Sequence, residues 1–325
     1  MKLLSPVGSL ESAELQINAG ANEIYVGLRS PVYNVYSFSG RGQKNKDDTF
    51  IVPDDNELKE IVKLSHDRNV EVSLAANTPF FSTSKSGYIE KEYLKYINTG
   101  IQSGIDNIII GDIGLLYELG KMNLPVNLHA STYFDTMNIQ QLKFLKQLGA
   151  TRAVLTYQIG IDEIELLCKE KIMEIEIFGY MGCSFFNGAC NLVHNMGEEK
   201  SPEGRQLGIP CKGMYKVWSD EISERVIPFL DAELGCALCS VSKLRSLGVD
   251  VIKIAGRDRN QKMMAEITSI FRQALDFNID LGEEKYKKEI RMLKPSWWEK
   301  IWCCKNGCKY TENLITRSYT GYYLE

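Results

Sequence analysis

Gly20-Ala21-Asn22-Glu23-Ile24-Tyr25-Val26-Gly27 joins the end of an amphipathic stretch to an apolar run, and the joint recurs along the chain. It returns as Gly104-Ile105-Asp106-Asn107-Ile108-Ile109-Ile110-Gly111, as Gly149-Ala150-Thr151-Arg152-Ala153-Val154-Leu155 and as Gly248-Val249-Asp250-Val251-Ile252-Lys253-Ile254. Gly accepts the left-handed conformation that closes a helix C-terminus. The short turn then feeds a strand buried on both faces, as a parallel sheet requires. Repeated joints of this kind mean βα units. Working outward, strands are expected over 2–6, 23–28, 71–76, 107–112, 126–131, 152–157, 174–179 and 250–255. Helices are expected near 9–19, 56–68, 88–103, 113–120, 137–148, 160–169 and 238–247. Pro53-Asp54 with Glu57 reads as a capping box for the second of these. This alternation predicts an α/β fold, a TIM-barrel-like (β/α)8 barrel. An open doubly wound sheet is the alternative, but Ser5-Pro6-Val7-Gly8-Ser9 carries no glycine-rich dinucleotide fingerprint.

The chain has 325 residues, with 38 Lys+Arg against 42 Asp+Glu and a net charge of −4. A nucleic-acid binder working by bulk electrostatics would carry a basic excess, so RNA or DNA ranks below a small molecule or peptide as the expected substrate. Hydrophobic content of 44% with 25% charge excludes a disordered chain. No apolar run reaches the ~18 residues of a membrane span. Met1-Lys2-Leu3-Leu4-Ser5-Pro6 is no signal peptide, so a cytoplasmic location is expected. Residues 1–277 are expected to form the barrel. Residues 278–325, rich in charge and aromatics, form a small C-terminal appendage that Trp297, Trp298 and Trp302 pack onto it. Two segments break the rhythm, 29–52 after the second strand and 180–225, with three of the nine cysteines, after the seventh, and the cluster-binding loops are expected over 180–240. Both would leave the C-terminal ends of strands, where barrel active sites sit.

Nine cysteines without a secretion signal read as thiols or metal ligands rather than disulfides. Cys183 and Cys190 bracket Ser184-Phe185-Phe186-Asn187-Gly188-Ala189, Cys211 follows, and Cys236 and Cys239 form a CxxC. Four thiolates converging from loops suit zinc or an iron–sulfur cluster. Only one CxxC is present, and the uneven spacing favours a cluster. The bland alternative, small buried hydrophobes, fits Cys168 in its helical pattern best. Cys303, Cys304 and Cys308 in the tail carry no assignment.

His129 is expected at the C-terminal end of the fifth strand as an acid–base or hydrogen-bonding group, against the alternative of a satisfied rim histidine. Arg257 is expected at the end of the eighth strand, where its fork could hold a carboxylate, against a surface ion pair. Arg41 is a second anion candidate. Asn77, Asp112 and Ser131 end strands and read as caps before they read as pocket residues. His66 and His194 read as surface residues, with His194 close enough in sequence to the cysteines to be a spare ligand.

At these residues the chain resembles peptidase family U32, the collagenase-like peptidases. The resembling stretches are Ser5-Pro6-Val7-Gly8-Ser9-Leu10-Glu11, Asn18 to Gly27, Cys183 to Cys190, and Gly248 to Arg257. The likeness covers about residues 1–275. It implies a TIM-barrel-like domain with a 4Fe-4S cluster, for which Cys183, Cys190 and Cys211 match the first three ligands and Cys236 the fourth, with Cys239 its rival. It also implies oxygen-independent hydroxylation of ubiquinone precursors, transfer RNA or ribosomal RNA, with prephenate as oxygen donor. Three positions depart from the family pattern. Gly179 replaces a His, Tyr157-Gln158 replaces Arg-Glu, and Ala255 replaces a Glu. The lost His fits a small-substrate branch. Two other readings stand beside the hydroxylase: a cluster-bearing, non-catalytic subunit paired with a homologue as a heterodimer, and a protease. The protease is disfavoured because no HExxH and no Ser-His-Asp set is present.

Overall fold

In the computed structural model of the chain, the described residues are 1–30, 43–44, 50–78, 88–157, 159–181, 215–218, 225–227, 235–257, 259–277, 282–303 and 308–310. Eight strands run in chain order: β1 (Lys2–Val7), β2 (Glu23–Val26), β3 (Glu71–Ala76), β4 (Asn107–Ile110), β5 (Asn127–Ala130), β6 (Ala150–Val154), β7 (Glu174–Tyr180) and β8 (Val251–Ile254). Each pairs in parallel with the next, and β8 closes on β1 through Lys2↔Val251 to Leu4↔Lys253. The fold is therefore the closed (β/α)8 barrel, and the open sheet is excluded.

The glycine joints behave as their sequence requires. Gly20, Gly104, Gly149 and Gly248 all have positive φ, between 88° and 97°. At one of them two backbones meet. A Cβ on Gly149 would lie 2.9 Å from the Cα of Gly120, and a Cβ on Gly120 would strike the Leu148 carbonyl. The end of one helix and the end of the next thus touch through glycine alone.

The helices alternate with the strands: α1 (Leu10–Asn18), α2 (Asp55–His66), α3 (Tyr88–Gln102), α4 (Ile113–Gly120), α5 (Ile139–Gln147), α6 (Ile161–Lys169), α7 (Val241–Ser246) and α8 (Gln261–Asp276). Asp54 caps α2 by accepting from the amides of Asn56 and Glu57. The expected box is only half formed, because the Glu57 carboxylate accepts from the Leu10 amide instead. A full box stands at α1, between Ser9 and Ser12. Helix α8 lies beyond the last expected helix. Its Met264, Ile267, Phe271, Ala274 and Leu275 share one buried face, and Thr268 ties it to Ser5 at 3.0 Å and to Gln16 at 2.6 Å.

Alternation along the strands separates two interiors. Leu3, Ile24, Leu74, Ile108, Ile177 and Ile252 join the large core between sheet and helices. Leu4, Tyr25, Ile109 and Val251 form a separate cluster inside the barrel. Much of the rest of that inner space is polar. Arg152 Nη1 donates to Glu23 at 2.8 Å and to Glu176 at 3.2 Å, and its Nε donates to Glu174 at 2.8 Å. Lys253 donates to Glu176 at 3.1 Å, and the Ser73 hydroxyl donates to Glu23. Burial alone would lower the Arg152 pKa, but the three carboxylates outweigh it and raise it. Burial, reinforced by Glu176 and opposed by Arg152, raises the Glu23 pKa.

The tail is built into the same core. Helix α9 (Glu283–Leu293) places Tyr286 and Ile290 inside it. Trp298 is fully buried, with its ring 5.5 Å from Tyr180 and 6.2 Å from Phe271, and Trp302 lies edge-on to Tyr180 at 5.2 Å. The tail then returns to the barrel: the backbone of Cys308 pairs with that of Cys236 in a parallel β-bridge, the Lys309 amide donates to the Cys236 carbonyl at 2.9 Å, and the Tyr310 hydroxyl donates to the Phe178 carbonyl at 3.1 Å.

Candidate functional site

The C-terminal mouth of the barrel gathers cations over aromatic rings. Tyr25, anchored by a 3.1 Å bond to the Ile254 carbonyl, lies under Lys253 Nζ at 4.5 Å and under the Arg257 guanidinium at 5.2 Å. Phe178 lies 5.6 Å from Lys253 Nζ and also 5.6 Å from Lys309 Nζ. Lys309 Nζ is 4.9 Å from the Tyr157 ring, and that ring is 4.2 Å from Phe178. Arg257 thus stands at the mouth where the sequence puts it. Lys309 was missed, because nothing local marks a tail lysine as a barrel residue. Burial pulls its ammonium down to about 7, with Cys236 opposing.

Beside the mouth the CxxC meets the tail thiols. Cys236 is buried, and burial, aided by Cys239 and Cys308, pushes its thiol up to about 12. Lys294 Nζ lies 3.3 Å from both Cys239 Sγ and Cys303 Sγ. This sulfur-rich donor set suits thiolate ligation chemically, although among the described residues no three Cys, His, Asp or Glu side chains stand together as a preformed metal site. Cys183, Cys190, Cys211, Cys304, Arg41 and His194 lie outside the described residues. Cys168 is buried in α6, with its thiol pushed up to about 11, as expected of a core residue.

His129 is not on the Arg257 rim, which corrects the sequence-based placement. Strand β5 ends at Ala130, and His129 points into the barrel, 1% exposed. It lines a cavity of about 800 Å³ with Lys2, Glu71, Asn127, Arg152 and Glu174. These residues belong to the N-terminal ends of the strands, so the cavity opens on the opposite face. Burial, with Arg152, Lys253 and Lys2 adding, holds the imidazole well below its ordinary range. The folded protein therefore resists a proton that the unfolded chain accepts below about pH 6.5. Stability from this residue is present above that pH and is lost as the pH falls. We expect the melting temperature to fall less steeply between about pH 7 and 5.5 in His129→Gln than in the wild type. Equal slopes would show that His129 takes up a proton in the fold.

Of the other strand-end candidates, Asp112 and Ser131 serve as caps. Asp112 accepts from the Leu115 amide and Ser131 from the Tyr133 amide. His66 pairs with Asp106 on the surface at 3.0 Å. At Gly179, a Cβ would lie 2.5 Å from Ile252 and 3.1 Å from Phe271. A histidine there would have to displace the layer between sheet and helices.

The sequence profile of Peptidase family U32 matches residues 8–313. The chain is 25% identical over all its length to a 23S rRNA 5-hydroxycytidine synthase of Escherichia coli K12, of which it spans 45%. It is 24% identical to tRNA hydroxylation protein P1 of Bacillus subtilis 168, over 94% of this chain and 68% of that one. With tRNA hydroxylation protein P2 of the same organism the identity is 24%, over 92% and 91%. The chain thus covers less than half of the synthase but nearly all of the shorter relative. Among the described residues no helix is long and apolar enough to cross a membrane.

Proposed function

Because this chain belongs to peptidase family U32, we propose that it hydroxylates a base of a structured RNA without molecular oxygen, with prephenate as oxygen donor. The observation that carries this reading is the likeness, along nearly the whole chain, to proteins whose names record rRNA or tRNA hydroxylation. It turns the substrate from a small molecule or peptide, which the net charge favoured, toward RNA. A net charge of −4 is compatible with RNA when the cations are concentrated at one mouth, and Lys253, Arg257 and Lys309 are so placed. Aromatic rings beside cations suit an unstacked base and the anionic groups near it.

Cys183, Cys190, Cys211 and Cys236 would hold the 4Fe-4S cluster, with Cys239 next to the fourth position. The cluster would supply redox-active iron at the mouth. The chain's own residues would bind and orient. Tyr25 fixes the height of Lys253 and Arg257 through cation–π contact. Arg257, with its planar fork, would hold a carboxylate of the donor. Tyr157 and Phe178 would face the base.

The reading is tested by comparing nucleosides from digested rRNA and tRNA of wild-type and deletion cells by mass spectrometry. We expect a nucleoside one oxygen atom heavier to disappear on deletion. It should return with the wild-type gene and fail to return with Cys190→Ser or Cys211→Ser. An unchanged nucleoside profile would overturn the proposal. The same serine variants, purified anaerobically, should lose iron and acid-labile sulfide together. A second reading, a non-catalytic partner of a homologous hydroxylase, draws on the absence of the family's His and Glu at Gly179 and Ala255. It predicts that the nucleoside disappears on deletion only while a tightly co-purifying homologue is also lost.

A further inference from the structure

The cavity at the N-terminal face of the barrel takes no part in the proposed chemistry, and its walls sort by charge. Its floor is made by His129 and Arg152, each 1% exposed. No nitrogen of the His129 ring has a hydrogen-bond partner among the described residues. Arg152 spends Nε on Glu174 and Nη1 on Glu23 and Glu176, and its Nη2 donates to none of the described residues. The charges that act most strongly on the imidazole are Arg152, Lys253 and Lys2, all cations. The floor is therefore positive. The rim carries more carboxylates than cations, with Glu71, Asp106 and Glu174 against Lys2. Lys2 answers Glu71 at 2.5 Å. Glu174 is 44% exposed and gives only Oε2 to Arg152, so its Oε1 is unspent. One flank is apolar, built by Ile105, Leu124 and Val126. Buried polar groups are normally paired, and here an imidazole and half of a guanidinium adjoin one space without partners.

We propose that this cavity binds a free α-amino acid with a bulky apolar side chain. Its carboxylate would meet Arg152 Nη2 and the His129 ring, its ammonium Glu174, and its side chain Leu124 and Val126. Charge decides the class of ligand. An α-amino acid carries both charges on one carbon, and Arg152 and Glu174, bonded to each other at 2.8 Å, offer the two complements side by side. A phosphate or a dicarboxylate would bring only negative charge past the rim carboxylates. A bare amine would bring its cation toward a positive floor. The volume of about 800 Å³ admits the largest apolar side chains. The site lies at the opposite end of the barrel from Arg257 and the cysteines, and its test needs neither RNA nor turnover. It therefore goes beyond the RNA reading, and the two fail separately.

The test is calorimetric titration of the full-length, anaerobically purified protein with L-leucine, L-phenylalanine, 3-phenylpropionate and phenethylamine. The last two keep the ring of phenylalanine and lack the ammonium and the carboxylate respectively. Glu174→Gln and Val126→Trp are measured beside the wild type. Glu174→Gln keeps the shape of the rim and removes the charge that would face the ammonium. Val126→Trp leaves every charge in place and fills the apolar flank, so it carries the test should the first variant fail to fold. We expect L-phenylalanine or L-leucine to bind the wild type, and L-phenylalanine to bind at least about tenfold more tightly than either one-charge analogue, as loss of a charge-assisted bond implies. Glu174→Gln should weaken the amino acid by a similar factor, and Val126→Trp should abolish its binding. No binding of either amino acid to the wild type, binding of an analogue as tight as that of L-phenylalanine, or unchanged amino-acid binding in either folded variant would each overturn the proposal.

Discussion

Arg152→Met should destabilise the protein by about 3–5 kcal/mol, the cost of leaving buried charge uncompensated. In the wild type two fully buried carboxylates, Glu23 and Glu176, face two buried cations, Arg152 and Lys253. Glu174, partly exposed, closes the set from the rim. Without Arg152, Lys253 still bonds Glu176, but Glu23 keeps only neutral donors from Ser73 and Asn107. The sign of the pH dependence follows. Burial already raises the Glu23 pKa, and removing Arg152 removes the largest opposing influence. The folded variant then holds a proton that the unfolded chain releases, so its stability should recover as the pH falls from about 7 toward 5. Arg152→Met with Glu23→Gln should recover most of the loss at neutral pH. Urea unfolding at two pH values reads all of this. A single variant as stable as the wild type at pH 7, or a double variant no better than the single, would refute the account.

The second large effect is expected at Trp298. Its ring is fully buried between Tyr180 and Phe271, so Trp298→Ala should cost about 3–5 kcal/mol. The consequence is also local. Trp298 and Trp302 hold the tail against β7, and the segment that follows supplies Cys308, Lys309 and Tyr310 to the mouth. Native-state hydrogen exchange should therefore show the Lys309 amide opening far more readily in the variant, with a smaller change at the Leu4 and Lys253 amides of the barrel seam. Uniform acceleration at all three would mean that the tail and the barrel unfold as one unit.

The eight strands and most helices were legible because their signals are local. A glycine that must adopt positive φ and an apolar run that must be buried both act within a few residues of where they are written. Three features were not legible, each for a different reason. The charges of Glu23, Arg152, Glu176 and Lys253 look like solvent-facing positions of ordinary strands. Only the closed barrel reverses them, since its outer face must be apolar for the helices and the alternating residues must then point inward. That alternation, Glu174-Ile175-Glu176-Ile177 beside Arg152-Ala153-Val154, was the signal that could have found the network. His129 was misplaced because it faces inward in register with Arg152, so its side chain meets the opposite cavity rather than the rim where β5 ends. Helix α8 was missed because the reading stopped at the eighth strand, although its apolar residues recur at helical spacing. Lys309 and the tail thiols were beyond reach for another reason. Their partners lie about seventy residues earlier, and no local pattern records a contact made at that distance.

Closure of β1 on β8 has a consequence in time. A ribosome adds about 5–20 residues per second. The first strand therefore emerges unpaired on one side and waits for Val251–Lys253 before its ladder is complete. Once those residues are out, the barrel can close while the mouth is still missing its last lysine. Lys309 follows some fifty-odd residues later, roughly three to ten seconds at that pace. During that interval the nascent chain is a closed barrel whose Phe178 and Tyr157 rings still lack their contacts with Lys309.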